Sequence, residues 1–591
     1  MSLKVGSITV LQQLATSPES KDSKYDGLNP SSTILPKGHK KAPGNRALGA
    51  NTIYDRDIQL QVRDGAKLRA DVFRPEGAEK VPALLAWSPY GKSGTGFFDL
   101  NLVPGRVGIL QSMLSGYEKF EAPDPAEWVG RGYAIVNIDT RGTFDSDGNI
   151  RCFGTAEGRD GHDAVEEVAK LPWCNGKVAL VGNSWLAMAQ WLIAAERPPH
   201  LACIAPFEGA SDLYRETICR GGVPYLPFWG FLSTKLYGRN QLESILGMLN
   251  QYPFMNEYWE DKRAAIENIE VPAYVLASYS TGLHTVGSFR GFEDIKHSNK
   301  WLRVHSTQEW HDLYQRSCID DLQLFLDRYT KEVDNGWEKT PSVRVSMLQF
   351  NKEPVINQVF PDWPIQNTKY TTLYLTAENQ LSSTKSPTSS TLSYQADVPA
   401  LQMDADSEEL HFTYTFPKKA YLVGYPKAIL NMSCDSHNDL DVFVQLRKAS
   451  ASGEILRNLN IPLSDLNVSS PSEVALLNTN FYLGPSGILR ASRRSVDSKR
   501  SKPHWDVHEH TESAVQLVKP GEVVEMDIGI WPVGMIFEAG EKMVLKVSGH
   551  LMVLAEFEPL RGAFVAENKG RHVVHFGGEF ESRVVIPLVE L

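Results

Sequence analysis

The chain has no run approaching the roughly 20 consecutive apolar residues of a membrane-spanning helix. Its amino terminus, MSLKVGSITVLQQLATSPESKDSKYDG, lacks the continuous apolar core of a secretory signal. Cysteine is sparse: Cys152, Cys174, Cys203, Cys219, Cys318 and Cys434 are scattered without a CxxC pair, which argues against a disulfide framework or a thiolate metal finger. Buried free thiols are expected instead. Long basic arms are missing and the net charge is -11, so nucleic-acid binding has no electrostatic support. There is no phosphate-binding glycine loop and no dinucleotide fingerprint. These absences predict a cytoplasmic protein that meets a small-molecule partner, engages neither nucleic acid nor membrane, and carries no cofactor.

Apolar residues make up 42% of the 591 positions, enough for more than one packed core. Residues 1–50 are rich in Ser, Lys, Pro and Gly and read as a polar arm. Alternating stretches at 58–62 and 68–73, joined by Asp64-Gly65, read as an antiparallel pair. Unbroken apolar runs follow at 81–87, 134–138, 178–181, 201–205, 271–277 and 301–304, and helical stretches such as 161–171 separate several of them. Such runs mark strands covered on both faces, so the body is an α/β fold with a doubly wound parallel sheet. The aromatic, helical segment 213–268 interrupts this alternation and reads as an inserted cap. Beyond residue 335 many short alternating stretches, including 342–347, 370–375, 441–446 and 542–548, predict a β-sandwich.

One stretch carries the chemistry. In VALVGNSWLAMAQWLIAAERPP, residues 178–199, a strand run ends in Gly182-Asn183, and apolar residues recur at helical spacing from Trp185 until Pro198 and Pro199. Ser184 therefore occupies a strand-to-helix turn, where a strained backbone would present its hydroxyl above the sheet. An ordinary turn serine in a parallel α/β protein would give the same local pattern.

Other stretches extend the pattern: WSPYGK at 87–92, DTRGTFDSDG at 139–148, PPHLACIAPFEGASDLYR at 198–215 and GILRAS at 487–492. In this order, with the serine turn, the chain resembles the CocE/NonD hydrolases, relatives of cocaine esterase and the X-Pro dipeptidyl-peptidases, over roughly residues 52–591. The resemblance implies an α/β-hydrolase body (51–212 and 269–335), the helical cap at 213–268, and a jelly-roll β-sandwich at 336–591. The family's elbow, Gly-x-Ser-aromatic-x-Gly, matches Gly182, Ser184 and Trp185, with Ala187 for the last glycine. By the same resemblance Ser184 is the nucleophile, and the backbone N-H of Trp185 and the hydroxyl of Tyr90 form the oxyanion hole.

The resemblance fails at the acid and the base. Family members carry an aspartate after the strand matching 271–277, but here Ser278 to His284 contain no carboxylate. Glu208, beyond the neighbouring strand, is the substitute acid. The base is expected after 301–304, near 308 or 309, where Gln308 and Glu309 stand. His311 and His305 are the candidates, with His284 a third imidazole at the same face. His508 and His510 could share a strand face but have no clear third ligand, so no metal site is expected. The basic run Arg493, Arg494, Lys499, Arg500 and Lys502 reads as a solvated surface.

The sequence thus points to a serine hydrolase cleaving a small ester or amide through an acyl-enzyme. The altered acid and base leave open acyl transfer or another biosynthetic step, and a binding protein without catalysis is the alternative of another class. Jelly-roll domains can support a homodimer, although no stretch singles out an interface.

Overall fold

The computed structural model describes residues 3–77 and 79–591. An 11-stranded sheet forms its centre. In chain order its strands are β1 (Ser31–Leu35), β2 (Thr52–Gln61), β3 (Lys67–Pro75), β4 (Val81–Ser88), β5 (Ala134–Asp139), β6 (Cys174–Asn183), β7 (Leu201–Phe207), β8 (Ala273–Ala277), β9 (Lys300–Val304), β10 (Val343–Met347) and β11 (Val355–Phe360). Their spatial order is β11-β10-β9-β8-β7-β6-β4-β5-β3-β2-β1. The ladders from β5 through β4, β6, β7, β8 and β9 to β10 are parallel, and those at both margins are antiparallel. Val178 to Val181 are at most 1% exposed, as expected for a strand covered on both faces. Helix α1 (Thr155–Ala169) packs on α2 (Trp185–Ala195), while α3 (Thr285–Asp294), α4 (Glu309–Leu313) and α5 (Arg316–Thr330) follow β8 and β9.

Between β7 and β8 the chain leaves the sheet and forms three short α-helices, Leu226–Ser233, Ile245–Gln251 and Glu257–Asp261. Several of the large aromatic side chains there are core: Trp229, Tyr237, Tyr258 and Trp259 are at most 6% exposed. The carboxyl-terminal region is mostly β, with a nine-stranded and a four-stranded sheet. No described helix is long and apolar enough to cross a membrane. All six cysteines are buried and unpaired.

Two expectations need correction, while the polar arm lies against the body: Ser31–Leu35 pairs with β2, and Gln12–Leu14 pairs with Gln241–Glu243 of the insertion. Polar composition did not prevent pairing, because backbone groups supply edge-strand hydrogen bonds whatever the side chains are. The stretch 342–347 does not enter the carboxyl-terminal sheets. It forms β10, parallel to β9, so the main sheet extends past residue 335. The basic run is not simply solvated: Arg500 pairs with Glu260 at 2.8 Å, Lys502 pairs with Glu293 and Asp294 at 2.8 Å each, and Arg493 lies 4.0 Å from the Phe254 ring centre. These contacts fasten a loop of the β region to the insertion and the body.

Candidate active site

Ser184 follows β6 with φ +56° and ψ -120°, a positive-φ backbone that a non-glycine residue adopts at a cost of about 1–3 kcal/mol. Neighbouring strand ends hold it there. Its N-H donates to the Glu208 carbonyl at 2.9 Å, and the Asn183 N-H donates to the Glu121 carbonyl at 3.1 Å. Gly182 is required, because a Cβ there would stand 2.5 Å from the Leu186 Cδ2 and 2.8 Å from the Glu121 carbonyl oxygen. The family's second elbow glycine is replaced by Ala187, and the space is recovered opposite: a Cβ on Gly209 would lie 2.8 Å from the Ala187 Cβ. Strand and helix approach closely because the missing methyl is on the other chain segment.

Trp185 opens α2, so its N-H is one of the first-turn amides without an intrahelical acceptor. Its indole is anchored below: Nε1 donates to Glu157 Oε1 at 3.0 Å, and the ring stacks on Phe153 with centroids 4.1 Å apart. Trp87 Nε1 donates to the same Glu157 oxygen at 2.9 Å. Burial lifts the Glu157 carboxyl to about 7, against the pull of these indole donors. The Tyr90 ring meets Trp185 edge-on at 5.9 Å, and Tyr90 and Ser184 line the same cavity. Burial, together with the Glu121 and Glu309 carboxylates, holds that phenol well above 10, so it stays a proton donor.

Ser184 opens into a cavity of about 620 Å³, its mouth included. The body contributes Tyr90, Glu121, His284 and Glu309; Phe228 comes from the insertion and Asn478 from the β region. His284 stands at the amino end of α3, and its Nδ1 lies 3.3 Å from Glu309 Oε2. Burial opposes charge on His284, but the Glu309 carboxylate, with Glu208 and Glu556 further off, shifts the imidazole upward from 6.5. Burial raises Glu309 while His284 draws it down, and the net direction is up.

The other histidines are placed differently. His305 and Glu208 do come together: His305 Nε2 is 2.5 Å from Glu208 Oε1, and Ser278 Oγ donates to Glu208 Oε2 at 2.8 Å. Neither lines the Ser184 cavity. Burial opposes the His305 charge, but Asp312 and Glu208 outweigh it and move the imidazole up. His311 is not brought to Ser184. It lies two residues beyond Glu309 on α4, about 200° around the helix, and its Nε2 meets Asp465 of the β region at 2.9 Å. Because Glu309 faces the cavity, helical geometry turns His311 to the far side.

Sequence reasoning did not single out Glu121 or assign Glu309 a catalytic role. Glu121 is 3% exposed, and Trp310 Nε1 donates to its Oε1 at 3.0 Å. Burial and the nearby Glu309 hold its carboxyl well above 4.5. Its stretch, EKFEAPDP, carries no motif that would have exposed it. For Glu309 the signal was its position, the loop place where the family carries histidine. Donor atoms of Glu208, His284 and Glu309 lie within 4.8 Å of one another, a set of ligand types that could hold a metal. In the protein these side chains already match one another's charge through the two Glu-His contacts.

Two family models match the chain: X-Pro dipeptidyl-peptidase (S15 family) over residues 64–245 and the X-Pro dipeptidyl-peptidase C-terminal non-catalytic domain over residues 335–585. A solved CocE/NonD family hydrolase from Staphylococcus aureus shares 27% identity, covers 98% of this chain and 100% of its own, and superposes with a TM-score of 0.83. Cocaine esterase of Rhodococcus sp. is 31% identical over 172 residues, 29% of this chain and 25% of its own length. A Mycobacterium bovis protein is 29% identical over 224 residues, 36% of this chain and 35% of its own. The matches thus span about a quarter to a third of the length of these curated relatives. With catalytic-domain and carboxyl-terminal models in order on one α/β-hydrolase-like body, the chain belongs to the CocE/NonD hydrolases, a serine hydrolase family related to the X-Pro dipeptidyl-peptidases.

Proposed function

We propose that the protein cleaves a small-molecule ester or amide through an acyl-enzyme on Ser184, with His284 as the base and Glu309 orienting it. The observation that carries this reading is that Ser184, Tyr90, His284 and Glu309 line one cavity, whereas His305 and His311 do not. Relative to the family arrangement, acid and base are transposed. The loop after β8, where relatives carry the aspartate, holds His284, and the loop after β9, where they carry the histidine, holds Glu309.

In this mechanism the His284 ring nitrogen not facing Glu309 takes the Ser184 proton as Oγ attacks the carbonyl carbon. Glu309 steadies the imidazolium. The carbonyl oxygen gains charge between the Trp185 N-H and the Tyr90 hydroxyl, each donor worth on the order of 3 kcal/mol. Collapse expels the alcohol or amine, which receives the proton from His284. Water then attacks the acyl-enzyme, gives its proton to the same ring, and releases the acid. The 213–268 insertion acts as a cap and the jelly-roll that follows β11 closes the cavity, since Phe228 and Asn478 reach it from those two regions.

The test is fluorophosphonate labelling and hydrolysis of short aryl and alkyl esters by the wild type, Ser184→Ala, His284→Gln and His305→Gln. Labelling that needs Ser184 and His284 supports the reading. A wild type that neither labels nor hydrolyses, with the fold intact, overturns it.

A further inference from the structure

A second compartment adjoins the Ser184 cavity, with Ser280, Leu283, Asn478 and Glu556 lining both. It encloses about 810 Å³ of non-atom space, its mouth included. Among the described residues, two of its buried polar groups lack hydrogen-bond partners, and a third group, a guanidinium, has no carboxylate beside it. Gln445 is 0% exposed, yet neither Oε1 nor Nε2 has a hydrogen-bond partner among the described residues. The Tyr482 hydroxyl, on a residue 5% exposed, is likewise unpartnered. Arg220 lies over the Trp531 ring, 3.9 Å from its centre, and its guanidinium donates to the Ser486 carbonyl and, at 3.3 Å, to the Ser486 hydroxyl. No carboxylate among the described residues pairs with it.

The two acids on these walls are otherwise engaged. Glu216 is bound by Arg290 and accepts the Ser211 and Asp212 N-H groups at 2.6 and 3.0 Å. Glu556 accepts the Tyr225 hydroxyl at 3.1 Å. Burial pushes the Glu556 carboxyl up, which favours its neutral form, and pulls Arg220 down to about 9, as befits a cation without a counter-ion. A buried unpaired amide costs about 1–3 kcal/mol, so a protein that keeps one here, beside a half-buried guanidinium with no counter-ion, leaves both for a ligand.

We propose that this compartment receives the carboxylate-bearing half of the substrate: the carboxylate pairs with Arg220 and takes the Gln445 amide donor, and a flat apolar group beside it rests against Trp531. This rests on the hydrolase reading of Ser184 and narrows it to esters or amides whose acyl or leaving portion carries a second, free carboxylate. The planar guanidinium suits a carboxylate in a way a lysine would not.

Calorimetry on the full-length Ser184→Ala protein, which binds without turnover, tests this with 3-phenylpropionate and its primary amide as probes. The acid is expected to bind at least about tenfold tighter than the amide. Arg220→Gln should abolish that preference, and Gln445→Leu, which keeps the cation, should weaken acid binding several-fold, each with melting temperature as the check on folding. Equal binding of acid and amide, or an acid preference that survives both substitutions in folded protein, overturns the proposal. Fluorophosphonate labelling of wild-type Ser184 reads the hydrolase assignment separately. Acid-selective binding without labelling would sink that assignment and still support the compartment.

Discussion

Two glutamate-histidine pairs stand side by side at the carboxyl edge of the sheet, and they do different work. Glu309 and His284 open on the cavity with Ser184. Glu208 and His305 are sealed beneath it, where the Glu208 carbonyl holds the strained Ser184 amide and its carboxylate is shared by His305 and Ser278. In composition the pairs are identical. The difference comes from where each side chain leaves its strand. His305 is the first residue past β9 and its N-H still bonds the Ala277 carbonyl in the sheet ladder, so its ring stays at sheet level. His284 and Glu309 sit several residues later, at helix starts that lift them above the strand ends. Distance from the strand end, more than residue type, separates the pair that lines the cavity from the pair that does not.

The sharpest way to break this comparison is to remove one member at a time. Ser184→Ala should lower ester hydrolysis by roughly a thousandfold or more and abolish fluorophosphonate labelling. His284→Gln should cost a comparable factor in kcat, on the order of a thousandfold, whereas His311→Ala should leave kcat within about twofold because its ring faces Asp465. If His305→Gln, still folded, lost as much as His284→Gln, the two pairs would have been assigned the wrong way round. Tyr90→Phe should lower kcat by about a hundredfold with little change in KM, since its hydroxyl acts where charge develops.

The pH dependence sharpens the same contrast. His284 must be neutral to accept a proton, and its shift is upward, so kcat/KM should rise with pH through a midpoint above 6.5. Glu309→Gln removes the carboxylate that raises it and should move that midpoint down, as a pH-rate profile would read. His305 is also shifted upward, so its pair contributes stability below the unfolded-state value and loses it as pH rises through the folded-state value. The melting-temperature deficit of His305→Gln should therefore be larger near about pH 6 than near about pH 9. The smallest effect expected is in packing: Gly209→Ala would press on Ala187 and cost about 1–3 kcal/mol by denaturant unfolding, partly restored by Ala187→Gly in the same chain.

Much of this site is legible in the amino-acid sequence. The elbow shows because Gly182, Ser184 and Trp185 follow one another in the chain, and a strand-to-helix turn is set by neighbours. The parallel strands are legible for the same local reason, whereas Tyr90 is reached only through the resemblance to the family. The Glu208-His305 contact is also within reach, since both follow apolar runs directly. What local pattern does not carry is which imidazole shares a cavity with the serine. Telling His284 from His311 requires knowing that α4 begins at Glu309, and a cap supplied by the Gln308 side chain, which accepts the Trp310 and His311 N-H groups at 2.7 and 3.1 Å, decides that start.

By itself, then, the sequence determined the order of the parts, the strained serine turn and its family, because each depends on residues adjacent in the chain and on periodicities that survive without neighbours. Tertiary structure alone decided which histidine and glutamate share the Ser184 cavity, the second compartment with its unanswered guanidinium, and the recovery of the elbow's missing glycine at Gly209. Those features arise where strands remote in sequence end side by side, and their energies depend on burial and on distances between side chains that no local pattern encodes.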